Sequence, residues 1–193
     1  MTKTPSTASA RDERTRTALL EAGARLFLAY GFRHTSMEGV AQEAQVAKAT
    51  AYARFANKEA LFTAVCTYLA AQMIERAEAA AAAADTPEAA VLASLSQKQL
   101  EMFTLVHQSR HAAELLTAFD TVGGAAAEST HAQYHAALGR WLKRCRSVGP
   151  KQAHAIAALL DHAAWGLASR ARDEASLRKG LALLCERVVG GGK

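Results

Sequence analysis

The sequence predicts an all-α protein, and three observations carry that reading. Half of its 193 residues are apolar, with Ala and Leu dominating over Val and Ile. Together with Glu, Lys, Gln and Arg, these are the residues that lose least on entering a helix. Prolines interrupt the chain at just three places, 5, 87 and 150. Apolar residues also recur at three- and four-residue intervals, the spacing that lines one face of a helix. The pattern resolves into nine helices, three near the N-terminus and then six that form a larger bundle, with no internal repeat.

Residues 1–10, MTKTPSTASA, are polar and short-chained and read as a disordered arm. From Arg11 a helix is predicted, with Ala18, Leu19, Ala22, Leu26, Phe27 and Tyr30 on its apolar face and Gly31 ending it. "TSME" (35–38) reads as a capping box, Thr35 accepting from the amide of Glu38 while Glu38 reaches back. The short helix it opens places Val40, Ala41 and Ala44 together. A turn, "AQVA" (44–47), leads to a third helix ending near Phe55, in which Ala47, Ala49, Ala51 and Ala53 alternate. Asn57 caps a long helix running from "KEALF" to about Ala84. "DTPE" (85–88) restarts the chain, with Asp85 or Thr86 as cap and Pro87 in the first turn. That helix reaches His107. Further helices are expected over 110–121, 125–146, 150–171 and 174–189, separated by Gly123–Gly124 and by "SVGP" (147–150).

The formal charge is +5 and the pI about 9.3. Residues 1–62 hold nine Lys/Arg against six Asp/Glu, a mild basic bias compatible with a polyanionic partner. The three cysteines, 66, 145 and 185, form no CxxC pair and read as buried thiols of a reducing compartment. No apolar run approaches the roughly 18 residues of a membrane span. The first residues lack the apolar core of a secretory signal. The expected location is cytoplasmic, with no membrane partner.

The first three helices have a particular layout. A long helix, a short capped helix, a three-residue turn and another short helix enclose a small core of Leu19, Leu26, Phe27, Val40, Ala44 and Phe55, with Val46 folded over it. This is a helix-turn-helix, whose second member enters the major groove of DNA. Residues 31–65, GFRHTSMEGVAQEAQVAKATAYARFANKEALFTAV, resemble the DNA-binding module of the tetracycline-repressor (TetR) family. The shared pattern is Gly31-Phe32, Thr35-Ser36-Met37, Val40-Ala41, Ala44-x-Val46, Lys48-x-Thr50-x-Tyr52-x-x-Phe55 and Lys58-Glu59-x-Leu61. The resemblance covers about residues 11–66.

The resemblance implies a homeodomain-like three-helix domain over 11–56 and a six-helix ligand-binding and dimerisation domain over 57–193. It places phosphate contacts on Thr35, Tyr52, Arg54 and Lys58, with Thr50 near backbone or base and Ser36 among the DNA-binding residues. Lys48 is left to donate to guanine, and Ala49 or Ala53 to touch a thymine methyl. Lys3, Arg11, Arg14 and Arg16 form a candidate extra grip. The chain departs from the family at four positions. Gln45 stands where a glycine usually takes φ > 0, and Ala47 where a serine caps the reading helix. Ala49 replaces a glycine, and Ala51 a larger apolar residue.

The resemblance also implies a homodimer joined through the last two helices, about 150–171 and 174–189. Ile156, Leu159, Leu160, Ala163, Ala164 and Leu167 lie along the first, and Leu177, Leu181, Leu184, Cys185 and Val188 along the second. A small-molecule effector is expected among Met102, Phe103, Leu116, Phe119, Tyr134, Trp141 and Trp165, an aromatic-rich lining suited to a hydrophobic or planar molecule. His107/His111 and His131/His135 have the i,i+4 spacing of metal ligands. With one Glu-x-x-His step, Glu128 to His131, they do not complete a di-iron site. No nucleophile elbow, P-loop or dinucleotide fingerprint is present, so no enzyme, cofactor or metal is assigned. The leading expectation is a repressor released from a pseudo-palindromic operator by its effector. A helical small-molecule or metal-binding protein with a weakened DNA module, and a low-specificity DNA binder, stay open beside it.

Overall fold

The computed structural model describes residues 7–122 and 124–190. The expected arm over 1–10 lies outside them except for Thr7–Ala10, which are helical. Among the described residues there are nine helices: α1 (Thr7–His34), α2 (Met37–Glu43), α3 (Lys48–Arg54), α4 (Lys58–Ala82), α5 (Pro87–Gln108), α6 (Ala112–Val122), α7 (Ala125–Leu142), α8 (Ala153–Ala168) and α9 (Glu174–Val189). They divide into two compact units. One joins the chain up to Leu69 with Ser109–Ala126, and the other joins Ala70–Gln108 with the residues from Ala127 onward. The sequence suggests a division after residue 56; in space the first half of α4 and all of α6 belong with the N-terminal helices.

The first unit is built on a buried cluster of Leu19, Leu20, Phe27, Val40, Ala51, Phe55, Leu61, Phe62 and Val65. Phe27, Phe32 and Phe62 pack with ring centroids 5.1–5.9 Å apart, two of the three pairs edge to face, an arrangement aromatic rings favour. Two glycines permit close approaches. A Cβ on Gly23 would fall 2.9 Å from Val65 of α4. Gly31, at φ 79°, breaks α1 near its end, and a Cβ there would fall 2.9 Å from the His111 ring. Ser109 Oγ donates to the Leu28 carbonyl at 2.6 Å, so the segment leading into α6 is docked on the same stretch of α1.

Local chemistry explains the helix ends, with one correction. The cap of α2 is Ser36, whose Oγ accepts from the Gly39 amide at 3.1 Å. Thr35 is not the cap: it is buried and donates its hydroxyl to the Gly31 carbonyl at 2.9 Å, one turn back. The expected capping box does not form: the cap shifts by one residue, its third helical position becomes Gly39, which has no side chain to reach back, and Glu38 is left to turn elsewhere. Gln45 adopts φ 56° in the turn, the left-handed region that suits glycine. Ala47 begins α3 without a side-chain cap. Asn57 caps α4 through the Ala60 amide (2.8 Å), and Thr86 caps α5 through the Ala89 amide (3.2 Å).

The second unit buries Val91, Leu95, Tyr134, Leu138, Leu142, Leu160, Ala164, Leu177, Leu181 and Cys185. Five of the side chains expected to face a second subunit, Leu160, Ala164, Leu177, Leu181 and Cys185, are part of this core instead. The outward apolar side chains of α8 and α9 are Leu159, Trp165, Leu167 and Leu183. Inside the core lies a polar group that no local sequence signal announces. Asp161 of α8 is buried and pairs with Lys98 of α5. It also accepts from Gln99 Nε2 at 3.2 Å and lies 3.2 Å from His135 Nε2 of α7. Gln99 Oε1 is buried without a hydrogen-bond partner. Three more imidazoles, His131, His154 and His162, have ring centroids 6.0–6.3 Å from that of His135.

Two outcomes follow from this packing. Ala47→Ser should add about 1 kcal/mol of stability by capping α3. Gln45→Gly should add less, because glycine's freedom in the unfolded chain offsets the relief of strain. An unmoved denaturation midpoint for Ala47→Ser would mean that the α3 amides are already satisfied. His135 is held below the usual histidine range, chiefly because burial disfavours the charged ring; Lys98 and His131 act in the same sense and Asp161 opposes them. Unfolding then takes up a proton, so this contribution to stability is intact above the unfolded pKa of about 6.5 and lost as pH falls through the folded value. Melting temperature should decline below that pH, and His135→Gln, which keeps an N–H for Asp161, should flatten the decline. Parallel pH profiles for the two proteins would assign the loss to other groups.

Candidate nucleic-acid interface

A helix of seven residues has little stability of its own, and what it buries and exposes therefore matters. In α3, Ala51 is fully buried and Thr50 half-buried, while Lys48, Ala49, Tyr52, Ala53 and Arg54 are exposed. Val46 before the helix and Phe55 after it close over the core. The turn is fixed by the Val46 amide donating to the Ala41 carbonyl at 2.9 Å. Nearly all of α3 is presented outward as a narrow face of two methyl groups, one ammonium, one phenol and one guanidinium.

These polar groups are tied to carboxylates. Lys48 Nζ lies 2.6 Å from Glu38 Oε1, and Tyr52 donates its hydroxyl to the same oxygen at 3.3 Å. The ammonium also sits 5.7 Å from the Tyr52 ring centroid. Lys48 draws the Glu38 carboxyl below its usual range, and Glu38 raises Lys48 in return, each mainly through their shared hydrogen bond. Arg54 pairs with Asp12 of α1, Arg25 bonds Glu43 at 2.9 Å, and the Arg16 guanidinium lies 5.3 Å from the Phe55 ring centroid. Lys58 Nζ donates to the Phe32 carbonyl at 2.9 Å and lies 4.4 Å from the Phe32 ring centroid. It fastens the start of α4 to the end of α1.

Of the residues singled out in sequence, Lys48, Ala49, Tyr52 and Arg54 share the exposed face of α3, and Ser36 is exposed at the start of α2. Thr35 does not join them, because its hydroxyl is turned inward to Gly31. Glu38 and Asp12 were missed as members of this surface; the i and i+10 or i and i+42 separations from their partners leave no local trace.

The expected effector lining is distributed over both units. Leu116 and the buried Phe119 lie in the first; Met102, Phe103, Tyr134, Trp141 and Trp165 lie in the second. Trp165 is 42 % exposed on α8 and is not an interior residue. Tyr134 is fully buried, its hydroxyl 3.4 Å from Ser94 Oγ, and burial pushes it well above the usual phenol range. His107 and His111 do not share a helix face, since α5 ends at Gln108 and α6 starts at Ala112. Among the described residues no group of three or more His, Cys, Asp or Glu is arranged to hold a metal ion. The thiols are free, and burial pushes Cys66 to about 12 and Cys145 and Cys185 to about 11, where thiolate is scarce. Among the described residues no helix is long and apolar enough to cross a membrane.

Comparison with known proteins bears on the same region. The profile of the bacterial regulatory proteins of the tetR family matches residues 19–65. A Bacillus subtilis relative, the HTH-type transcriptional regulator YhgD, whose function is uncharacterised, is 40 % identical over 62 residues, 32 % of each chain. The match thus spans about a third of that relative. Over nearly the whole length the chain is similar in fold to a transcriptional regulator from Rhodococcus sp. RHA1 (TM-score 0.66, 21 % identity, 93 % of this chain and 96 % of that one). It is also similar to a TetR-like transcriptional regulator from the same organism (0.62, 20 %, 98 % and 100 %). A third likeness is to reduced NemR of Escherichia coli (0.66, 21 %, 91 % and 97 %). A helix-turn-helix that presents α3 outward thus coincides with the stretch, residues 19–65, that matches the tetR family of bacterial regulatory proteins, and an all-helical fold similar to those of solved transcriptional regulators lies behind it.

Proposed function

We propose that the chain is a dimeric transcriptional repressor that reads a pseudo-palindromic operator and leaves it when a small hydrophobic or aromatic molecule binds the larger helical part. The observation that carries the DNA-reading step is the burial pattern of α3. A short helix with one fully buried side chain and five exposed ones is held in place to offer its outer face. Lys48 and the methyl groups of Ala49 and Ala53 suit base edges; Ser36, Tyr52 and Arg54 suit phosphates, and Lys58 keeps two further N–H groups beyond the one given to Phe32.

Pairing is supported by the outward apolar side chains of α8 and α9. Leu159 is 69 % and Leu183 53 % exposed. Leu159, Ala163 and Leu167 recur on one face of α8, and Leu167 packs at 3.5 Å on the position a Cβ of Gly180 would take, one turn before Leu183. An exposed stripe of this kind in a soluble chain marks an interface. Effector coupling is supported by connectivity. Helix α6 is grouped with the reading unit, yet the chain leads into it from α5 and out of it into α7, both in the second unit. A ligand favouring another placement of those ends would bias the spacing of two reading helices by population shift.

Two measurements test these steps. Arg54→Ala should weaken binding to operator and unrelated duplex alike, several-fold at moderate salt, and lower the slope of log affinity against log salt by about 1. An unchanged slope would remove Arg54 from the phosphate contacts. Leu159→Glu combined with Leu183→Glu should convert the dimer to monomer in sedimentation equilibrium, and a dimer that persists would place pairing on another surface.

A further inference from the structure

The alanine-rich face of α3 offers few groups for reading bases, and one of them is Lys48. A lysine ammonium is a compact charge on a flexible stem; left free near DNA it would bind any phosphate. Here it is not free. Glu38, reaching over from α2, holds Nζ at 2.6 Å and takes the Tyr52 hydroxyl on the same oxygen at 3.3 Å. Both contacts fall on Oε1, so the second carboxylate oxygen has acceptor capacity to offer a further donor, and the ammonium keeps two of its three N–H donors.

A fixed donor standing beside a fixed acceptor has a complement among the base pairs. In the major groove a G·C pair presents the N7 and O6 acceptors of guanine beside the N4–H donor of cytosine. A·T offers acceptor and donor on adenine, then an acceptor and a methyl on thymine. We propose that Glu38 is a specificity-determining residue: with Lys48 it forms a salt-bridged reader of a G·C pair, Lys48 donating to guanine and Glu38 accepting from cytosine. The same carboxylate keeps Lys48 from pairing with phosphate, since a phosphate approaching the ammonium also meets a negative charge 2.6 Å away. A helix poor in hydrogen-bonding side chains thus borrows its acceptor from the preceding helix. Both side chains are exposed, so neither is needed by the core.

This inference rests on the DNA-reading function proposed above, and the test separates the two. Wild type, Glu38→Ala, Lys48→Ala and the double variant are each used to select from one random-sequence duplex library, and their affinities for the unselected library are measured against salt. The wild-type motif is expected to carry a G·C pair at one position of each half-site. Glu38→Ala should lose about tenfold or more of the preference there. It should also bind the unselected library more tightly, with a salt slope steeper by about 1 as Lys48 turns to phosphate. Lys48→Ala should lose the same preference, and the double variant no more than either single one. A Glu38→Ala motif and library affinity matching wild type, or independent losses that add in the double variant, would overturn the paired reading while leaving operator binding intact. A wild-type protein that enriches no sequence would overturn operator reading and this inference together.

Discussion

The reading helix depends on a contact no larger than a methyl group. Ala51 is the fully buried side chain of α3 and belongs to the same buried cluster as Leu19, Phe27, Val40 and Phe62, and close-packed interiors of this kind resist a change of even one methylene. Because a seven-residue helix without a side-chain cap cannot sustain itself, its position is inherited from that core and from the turn on either side. The stacked and edge-on rings of Phe27, Phe32 and Phe62 matter for the same reason. They hold α1 and α4 together, and α3 is laid over what those helices enclose.

Electrostatics are added to this frame by pairs instead of by an open basic patch. Lys48, Arg54 and Arg25 each face a carboxylate, so these three cations are paired before any polyanion approaches. Exposed pairs contribute little to stability, commonly 0–1 kcal/mol each, and are not what folds the unit. Their effect is geometric, because each removes rotamer freedom from a long side chain before any partner arrives. The buried group around Asp161 is different in kind. Lys98, Gln99 and His135 satisfy a carboxylate that could not otherwise remain inside, which makes that part of the second unit sensitive to the protonation of one ring.

What was legible in the sequence was local chemistry. Asn57 as a cap, a cap at Asp85 or Thr86 and the burial of Phe55 follow from residue types and their nearest neighbours, whereas the turn position of Gln45 and the uncapped start at Ala47 were legible through the family resemblance alone. The cap of α2 was misplaced by one because "TSME" offers two hydroxyls. The one that lost, Thr35, found a carbonyl a turn back at Gly31, which spacing alone does not reveal. Helices α8 and α9 are apolar on more than one side, so Leu159 and Leu160 are equivalent in pattern although one faces out and the other in. The Asp161 group and the Glu38–Lys48 contact join residues on different helices, and pairings of that kind leave no periodicity to read. The histidine pair at 107 and 111 failed for a simpler reason: the helix ends between them.

The basic residues of α1 stand on a helix, as the expected start at Arg11 implies, and the observed start at Thr7 carries that helix about one turn further back. A flexible arm of a dozen residues could sweep out roughly 40 Å, but a helix from Thr7 to Ala18 advances about 1.5 Å per residue and spans under half of that. Arg11, Arg14 and Arg16 are therefore mounted on a rod that continues into the core. They have no wide capture radius and no large ordering entropy to lose on contact. Any polyanion drawn to them meets charges at set distances, which favours partners of matching geometry and gives up the speed that a loose tether would bring.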